Sequence, residues 1–259
     1  MGASRSAGPP QARLAPSGGS EPHEVGSVGA YFDAAIVDLD GTMIDTVGDF
    51  VAALNLMLGD LWPTGSDAVA VEAATVETMV GKGSENLVKS VLNHAQAKAE
   101  RAGVAINLIA YYDLAFARYQ HHYASVSGLY STVYAGVPEG LLALKAAGLK
   151  LACVTNKPAV FARPLLVLKG LDGFFSEVFG GDSFERKKPD PMPLLKTCEA
   201  LGTVPARTLM IGDSSNDAAA ARAAGCPVVL VTYGYNHGEP VRVVDADGFI
   251  DSLAGFQMQ

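Results

Sequence analysis

Residues 34–45 read Ala-Ala-Ile-Val-Asp-Leu-Asp-Gly-Thr-Met-Ile-Asp, an apolar run that ends on two carboxylates with one residue between them. A short run containing β-branched residues suits a strand buried on both faces of a parallel sheet. In extended backbone the side chains at i and i+2 point the same way, so Asp38 and Asp40 project together where the strand ends. Gly41 permits the sharp turn that takes the chain away from the sheet. Two carboxylates on one side of a strand end repel each other and lose hydration. A hard cation and a reaction would account for that arrangement. A strand followed by a solvated Asp-Gly turn is the plain alternative.

The pattern after this strand divides the chain. Val47, Phe50, Val51, Leu54, Leu58 and Leu61 recur at helical spacing. Thr46 stands where it can cap that helix, with Asp49 near its positive end. Helical patterns continue over residues 67–79, 84–101 and 107–126, separated by Gly81-Lys82-Gly83 and Arg101-Ala102-Gly103. From Tyr134 strands and helices alternate. Helices are expected over 138–147, 159–169 (distorted by Pro164), 192–201 and 214–224. Strands are expected over 149–154, 174–179, 208–211, 227–232 and 248–250. Alternation of this kind predicts an α/β fold: a doubly wound, mostly parallel, Rossmann-like sheet with helices on both faces. The helical block interrupts it after the first strand and reads as an inserted all-helical cap. The expected organisation is a core of residues 31–45 plus 132–259 and a cap of residues 46–131. Residues 1–30, rich in Gly, Ser, Pro and Ala, read as a disordered tail. They lack the apolar stretch of a secretory signal, and a start codon placed too far upstream explains them equally well.

Composition removes several function classes. A net charge of −8 with 18% charged residues argues against nucleic-acid binding, which wants a basic face. Three cysteines, Cys153, Cys198 and Cys226, form no C-x-x-C pair, which disfavours a disulfide framework or zinc cluster and points to a reducing cytoplasm. No apolar run approaches the length of a membrane span, so no membrane association is expected.

In open parallel sheets, ligands bind beyond the carboxyl ends of the strands. Each predicted element delivers polar groups to that edge: Asp38 and Asp40, then Thr155 and Asn156, then Lys188 before the 192–201 helix, then Asp213 with Asp217 four residues on. Singly, each has an ordinary reading. Thr155 and Asn156 could cap the next helix. Lys188 could be a solvated lysine beside Arg186 and Lys187. Asp213 and Asp217 could be a helix N-cap and first-turn pair. In this order and at this edge, they read together as an active site. His94, His121, His122 and His237 have no ligand-spaced partners, and the Tyr111, Tyr112, Phe116 and Tyr119 group reads as cap core.

Asp38-Leu39-Asp40-Gly41-Thr42, Thr155-Asn156, Lys188-Pro189-Asp190-Pro191 and Gly212-Asp213-Ser214-Ser215-Asn216-Asp217 resemble the four ordered motifs of the haloacid dehalogenase superfamily. The helical insert resembles the cap of its β-phosphoglucomutase-like branch. Gly81-Lys82-Gly83-Ser84-Glu85-Asn86, Val154-Thr155-Asn156-Lys157-Pro158 and Thr232-Tyr233-Gly234-Tyr235-Asn236-His237-Gly238 look like bacterial phosphoglycolate phosphatases. The resemblance implies a phosphatase for a small phosphorylated acid, 2-phosphoglycolate, with another small phosphate ester, pyrophosphate or a β-phosphoglucomutase-like phosphotransfer as alternatives. It implies Asp38 as nucleophile and Asp40 as proton shuttle. It implies Mg²⁺ held by the Asp38 carboxylate, the Asp40 carbonyl and Asp213, with Asp217 as a direct or indirect ligand. Thr155, Asn156 and Lys188 would bind the phosphoryl group, and Lys82 would reach substrate from a cap loop. Hinge motion is expected at residues 45–47 and 131–134.

Overall fold

The computed structural model describes residues 32–62 and 69–255, so the expected tail over residues 1–30 and the first residues of the expected 67–79 helix lie outside the described residues. Strand β1, Ala34–Val37, is buried at every position. It is flanked by β4, Lys150–Val154, and β6, Thr208–Gly212, both parallel to it. β5, Glu177–Phe179, lies outside β4, while β7, Val228–Val231, and β8, Gly248–Ile250, extend the other side. The order β5-β4-β1-β6-β7-β8 is parallel throughout, as the alternating pattern predicts. The chain builds outward from β1 on one side, then crosses to β6 and builds outward on the other. That reversal opens a crevice at the carboxyl ends of β1 and β6.

Period-2 alternation fills both faces. Ala35, Val37, Leu151, Cys153, Leu209 and Ile211 face α5, Val137–Ala146, and α6, Ala159–Leu168. Ile36, Val154, Met210, Val228 and Leu230 face α7, Met192–Leu201, and α8, Ser215–Ala224. Pro164 sits inside α6 without ending it.

Between β1 and α5 the chain makes a separate apolar cluster. It contains α1, Val47–Leu61; α2, Ala73–Glu77; α3, Ser84–Arg101; and α4, Tyr112–Val126. The spacing that predicts α1 is its buried face: Phe50, Leu54 and Leu58 are in this cluster. The two connections to the sheet run side by side as an antiparallel pair, β2, Ile44–Asp45, with β3, Thr132–Val133. No helix among the described residues is long and apolar enough to cross a membrane.

Three local expectations are corrected. Thr46 makes no capping bond; its hydroxyl donates to Asp40 instead, and Asp45 accepts the Val47 N–H. Within the described part of the expected 67–79 helix, residues 70–72 are not helical and α2 starts at Ala73, and the 174–179 strand begins only at Glu177. In the latter the Phe174 and Phe175 N–H groups turn back onto the Leu171 and Asp172 carbonyls, which takes them out of the ladder.

Asp49 explains how the helical block stays closed on itself. Fully buried in the first turn of α1, it accepts the Gly128 N–H at 2.7 Å and the Tyr130 N–H at 2.8 Å, just beyond α4. It thus ties the exit of the block to its entry. Replacing it strands a buried donor at Gly128 and a partly buried one at Tyr130, the buried one worth about 1–3 kcal/mol and the other less. Asp49→Ala should therefore lower unfolding free energy by about 2–4 kcal/mol in a urea titration. Asp49→Asn, which keeps an acceptor, should lose less, and equal losses would contradict this role.

Candidate active site

Beyond Val37 the Asp38 N–H still bonds to the Ile211 carbonyl, so the β1–β6 ladder carries Asp38 to the sheet edge. The Leu39 N–H then donates to the Asp38 Oδ1 at 2.8 Å, which fixes the carboxylate against its own turn. Gly41 takes φ +80°, and a Cβ there would stand 2.3 Å from Asp213 Oδ2. Glycine is thus required for the turn and for the approach of β6.

Lys188 reaches the same point from the loop before α7. Its ammonium donates to the Val154 carbonyl at 2.8 Å and to Asp217 at 2.7 Å, and pairs with Asp38 at 2.9 Å. All three N–H groups are engaged, and the residue is 3% exposed. Burial alone would lower its pKa, but Asp217 and Asp38 together raise it above the ordinary lysine value. It is a fixed positive charge at the junction of β1, β4 and β6.

Asp213, at the end of β6, is buried and accepts the Tyr235 N–H at 2.7 Å. Asp217 lies one turn into α8. Its Oδ2 accepts from the Asp213 N–H, the Ser214 N–H and the Ser214 hydroxyl, while Oδ1 takes Lys188. The helix is capped by Ser214 in a reciprocal box with Asp217, so Asp213 is not the N-cap. These bonds saturate Oδ2 and leave Oδ1 one further lone pair. This geometry favours Asp217 as an indirect support rather than a direct ligand.

Asp38, Asp213 and Asp217 each place an oxygen within 4.8 Å of the others. Burial pushes the Asp38 carboxyl up to about 7, against the pull of Lys188. Burial raises Asp213 well above the usual carboxylate range, with Asp217 and Asp38 adding to it. Three buried carboxylates against one buried ammonium leave an uncompensated negative charge. Their oxygens are the hard donors a divalent cation takes, so the residues present fit a divalent metal.

Asp40 faces a different neighbourhood. It accepts the Thr46 hydroxyl at 2.8 Å and the Lys157 ammonium at 2.8 and 3.1 Å. The carboxylates of Asp38 and Asp40 therefore meet different cations, Lys188 and Lys157. Thr155 is buried at the end of β4, where its hydroxyl accepts the Lys157 N–H. Asn156 lines the cavity, and both N–H groups of its side chain are engaged, on the Gly81 and Lys188 carbonyls. Nor do these residues cap α6, whose Ala159 N–H is taken by Asp182. Lys82 is exposed, and the cavity above Asp38 and Asp40 is lined instead by its neighbours Gly81, Gly83 and Ser84.

That cavity has about 30 Å³ of room for water centres and is roofed by Phe50, Leu87, Tyr119 and Tyr123 from the helical block. By the ~10–15 Å³ needed for each water, it is a narrow space. Tyr119, expected as cap core, is both buried core and cavity wall. The helical block is fastened over the site at its rim. The Gly81 carbonyl accepts the Asn156 and Asn216 side-chain amides, and Glu85 pairs with Lys187. His237 Nδ1 bonds to the Val80 carbonyl at 2.8 Å, which requires Nδ1 to carry the hydrogen. Burial lowers the His237 pKa, consistent with the neutral ring.

Four residues here escaped the sequence reading as site residues: Lys157, Asn216, Tyr235 and His237. Lys157 follows Thr155 and Asn156 at a strand end, and that adjacency was its signal. Tyr235 joins the Asp213 carboxylate to the β2 connection, since its hydroxyl accepts the Thr46 N–H and donates to Asp45.

Comparison with known proteins agrees with this geometry. The family model for haloacid dehalogenase-like hydrolases matches residues 35–231. A phosphoglycolate phosphatase of Thiobacillus denitrificans is 45% identical over 221 residues, which cover 85% of this chain and 92% of that protein. A plasmid-borne phosphoglycolate phosphatase of Cupriavidus necator is 43% identical over 220 residues, covering 85% and 89%. Among solved structures, a predicted phosphoglycolate phosphatase from Haemophilus somnus aligns with a TM-score of 0.78 at 33% identity, covering 86% of this chain and 95% of that one.

The raised carboxyls have a measurable consequence. Native Asp38 keeps its proton between the ordinary 3.8 and about 7, where the unfolded chain has released it. Its contribution to stability therefore falls as pH rises through that window, and Asp213 follows the same sign. In chelator-treated protein, Asp213→Asn keeps an acceptor for Tyr235 but removes a desolvated charge. It should raise Tm at pH 7.5 by about 2–4 °C, the effect of ~1 kcal/mol in a protein of this size. The gain should shrink toward pH 4, and divalent cation should raise the wild-type Tm more than the variant's. A lower Tm for the variant at pH 7.5 would contradict the account.

Proposed function

The chain belongs to the haloacid dehalogenase-like hydrolases and is a phosphoric monoester hydrolase, and on that footing we propose that it hydrolyses 2-phosphoglycolate to glycolate and phosphate through an aspartyl-phosphate at Asp38, with Mg²⁺. The observation that carries this reading is the separation of two carboxylates at one strand end. Asp38 is held by the fixed Lys188 charge, while Asp40 stands toward the cavity roof with Lys157. The relatives named phosphoglycolate phosphatase supply the substrate, and the narrow cavity is consistent with a short leaving group.

The chemistry follows from these positions. An Asp38 oxygen attacks phosphorus, the bond to the ester oxygen breaks, and Asp40 delivers a proton to the departing alkoxide. A water then attacks the aspartyl-phosphate, with Asp40 taking its proton, and phosphate leaves as Asp38 is restored. Lys188 offsets negative charge beside Asp38, and the Thr155 hydroxyl contributes to phosphoryl binding. Bound among Asp38, the Asp40 carbonyl and Asp213, Mg²⁺ would neutralise the phosphoryl oxygens that these carboxylates otherwise repel. Asp217 positions Lys188 and the Asp213 turn.

In this reading residues 46–131 form the cap, and residues 31–45 plus 132–259 form the core. The cap parts from the core about residues 45–47 and 131–134 to admit substrate, then closes to exclude water from the leaving group. The three buried free cysteines accord with a cytoplasmic protein.

Phosphate release from 2-phosphoglycolate, pyrophosphate and sugar phosphates tests the reading. Wild type should rank 2-phosphoglycolate first by kcat/KM and lose activity to a chelator. Asp38→Asn should abolish turnover, and Asp40→Asn should lower kcat by about 10²–10⁴-fold. Turnover surviving Asp38→Asn would sink the mechanism; a different first-ranked ester would sink only the substrate.

A further inference from the structure

The cavity roof holds a cation that the proposed chemistry leaves without a task. Lys157 is 5% exposed and lies immediately past the end of β4. Its ammonium sits 4.5 Å from the centre of the Phe50 ring and 4.9 Å from that of Tyr123. Both rings belong to the helical block, so a core residue finds its seat on the cap. An ammonium on aromatic faces gains from the ring quadrupoles but receives no hydrogen bond from them. Its only hydrogen-bond acceptor among the described residues is Asp40.

The other cations near the site are committed elsewhere. Lys188 has three acceptors, Lys187 pairs with Glu85, and Lys82 is exposed. Lys157 is the one lysine or arginine among the residues lining the cavity. Tyr123, whose ring carries the ammonium, lies in the same lining. A buried cation thus faces a space walled by aromatic and aliphatic groups, by Ser84, Thr155 and Asn156, and by two carboxylates.

Position decides what they could meet. In the reading above Asp40 hands its proton to the ester oxygen, so it stands on the leaving-group side of phosphorus. Lys157, 2.8 Å from Asp40, stands on that side too. A substituent on the carbon bonded to the ester oxygen would come within its reach.

We propose that Lys157 is the specificity-determining residue of this site, seated on Phe50 and Tyr123 to bind a carboxylate borne by the leaving group next to its ester carbon. The inference rests on the phosphatase reading and deepens it: the substrate class is 2-phosphooxy carboxylates, read by charge. The ammonium has one N–H beyond the two it directs at Asp40, and that N–H is the donor for the anion. Because the seat is made by the cap and the ammonium by the core, the carboxylate is read only where the two meet.

The test compares two esters that differ only in that group, 2-phosphoglycolate and 2-hydroxyethyl phosphate, in wild type, Lys157→Met and Lys157→Arg. Wild type should prefer the acid in kcat/KM. Lys157→Met should reduce that preference by about 10²-fold or more, mainly through KM for the acid, the effect of losing one partner of a buried charge pair. Lys157→Arg, which keeps the charge, should restore part of it. Thermal melting of each variant separates loss of recognition from loss of fold. Should Lys157→Met depress both esters equally, Lys157 serves only to place Asp40 and the inference fails while the phosphatase reading stands. Should wild type favour the neutral ester, both the substrate assignment and the inference fail.

Discussion

A single buried ammonium holds this site together. Lys188 donates to a carbonyl at the end of β4, to the carboxylate beyond β1 and to the carboxylate in the first turn of α8. Three chain segments distant in sequence converge because one charge must be satisfied out of water. A buried ion of this kind is tolerated only when its partners are complete. The same three bonds set the position of Asp38, orient Asp217 and, through the Asp217 capping box, shape the turn that presents Asp213. The surrounding sheet supplies rigidity, but this contact sets the register in which the strand ends meet.

Much of this arrangement was legible in the sequence because it sits where periodicities change. An apolar run that stops on Asp38 and Asp40, another that stops on Thr155, and a third that stops on Asp213 mark strand ends, and the parallel-sheet rule brings strand ends to one edge. What was not legible depends on pairing across the chain. Lys157 becomes distinctive only once Phe50 and Tyr123 are placed beneath it. Thr46 has the look of a helix cap, yet the Asp40 carboxylate competes for its hydroxyl and wins. Asn156 has the look of a ligand binder, and the carbonyls of Gly81 and Lys188 take the N–H groups of its side chain. In each case a local propensity was right about the chemistry of the side chain and silent about its partner.

The segment after β7 shows how such pairings accumulate. Tyr233 donates to the Thr42 carbonyl, Tyr235 ties Asp213 to Asp45 and Thr46, Asn236 accepts the Ser215 N–H, and His237 reaches Val80. Gly234 allows this close approach, since a Cβ there would stand 2.1 Å from that of Asp213. A few consecutive residues therefore touch the carboxylate cluster, the connection to the helical block and the block itself.

The apolar cluster of the helical block is nearly complete without those on the two faces of the sheet. Among the described residues Phe161 and Tyr235 alone extend from the sheet side into the helical cluster, and the seam is otherwise fastened mainly by polar contacts: amides and an imidazole on carbonyls, one ion pair, and the Lys157 ammonium on two rings. Water can replace contacts of that kind, whereas it cannot replace a buried leucine. In the opening proposed above, the parting seam would wet mainly polar groups, and the apolar surface laid bare would be that of the cavity lining around Phe50 and Tyr123, a recess rather than a broad sticky face.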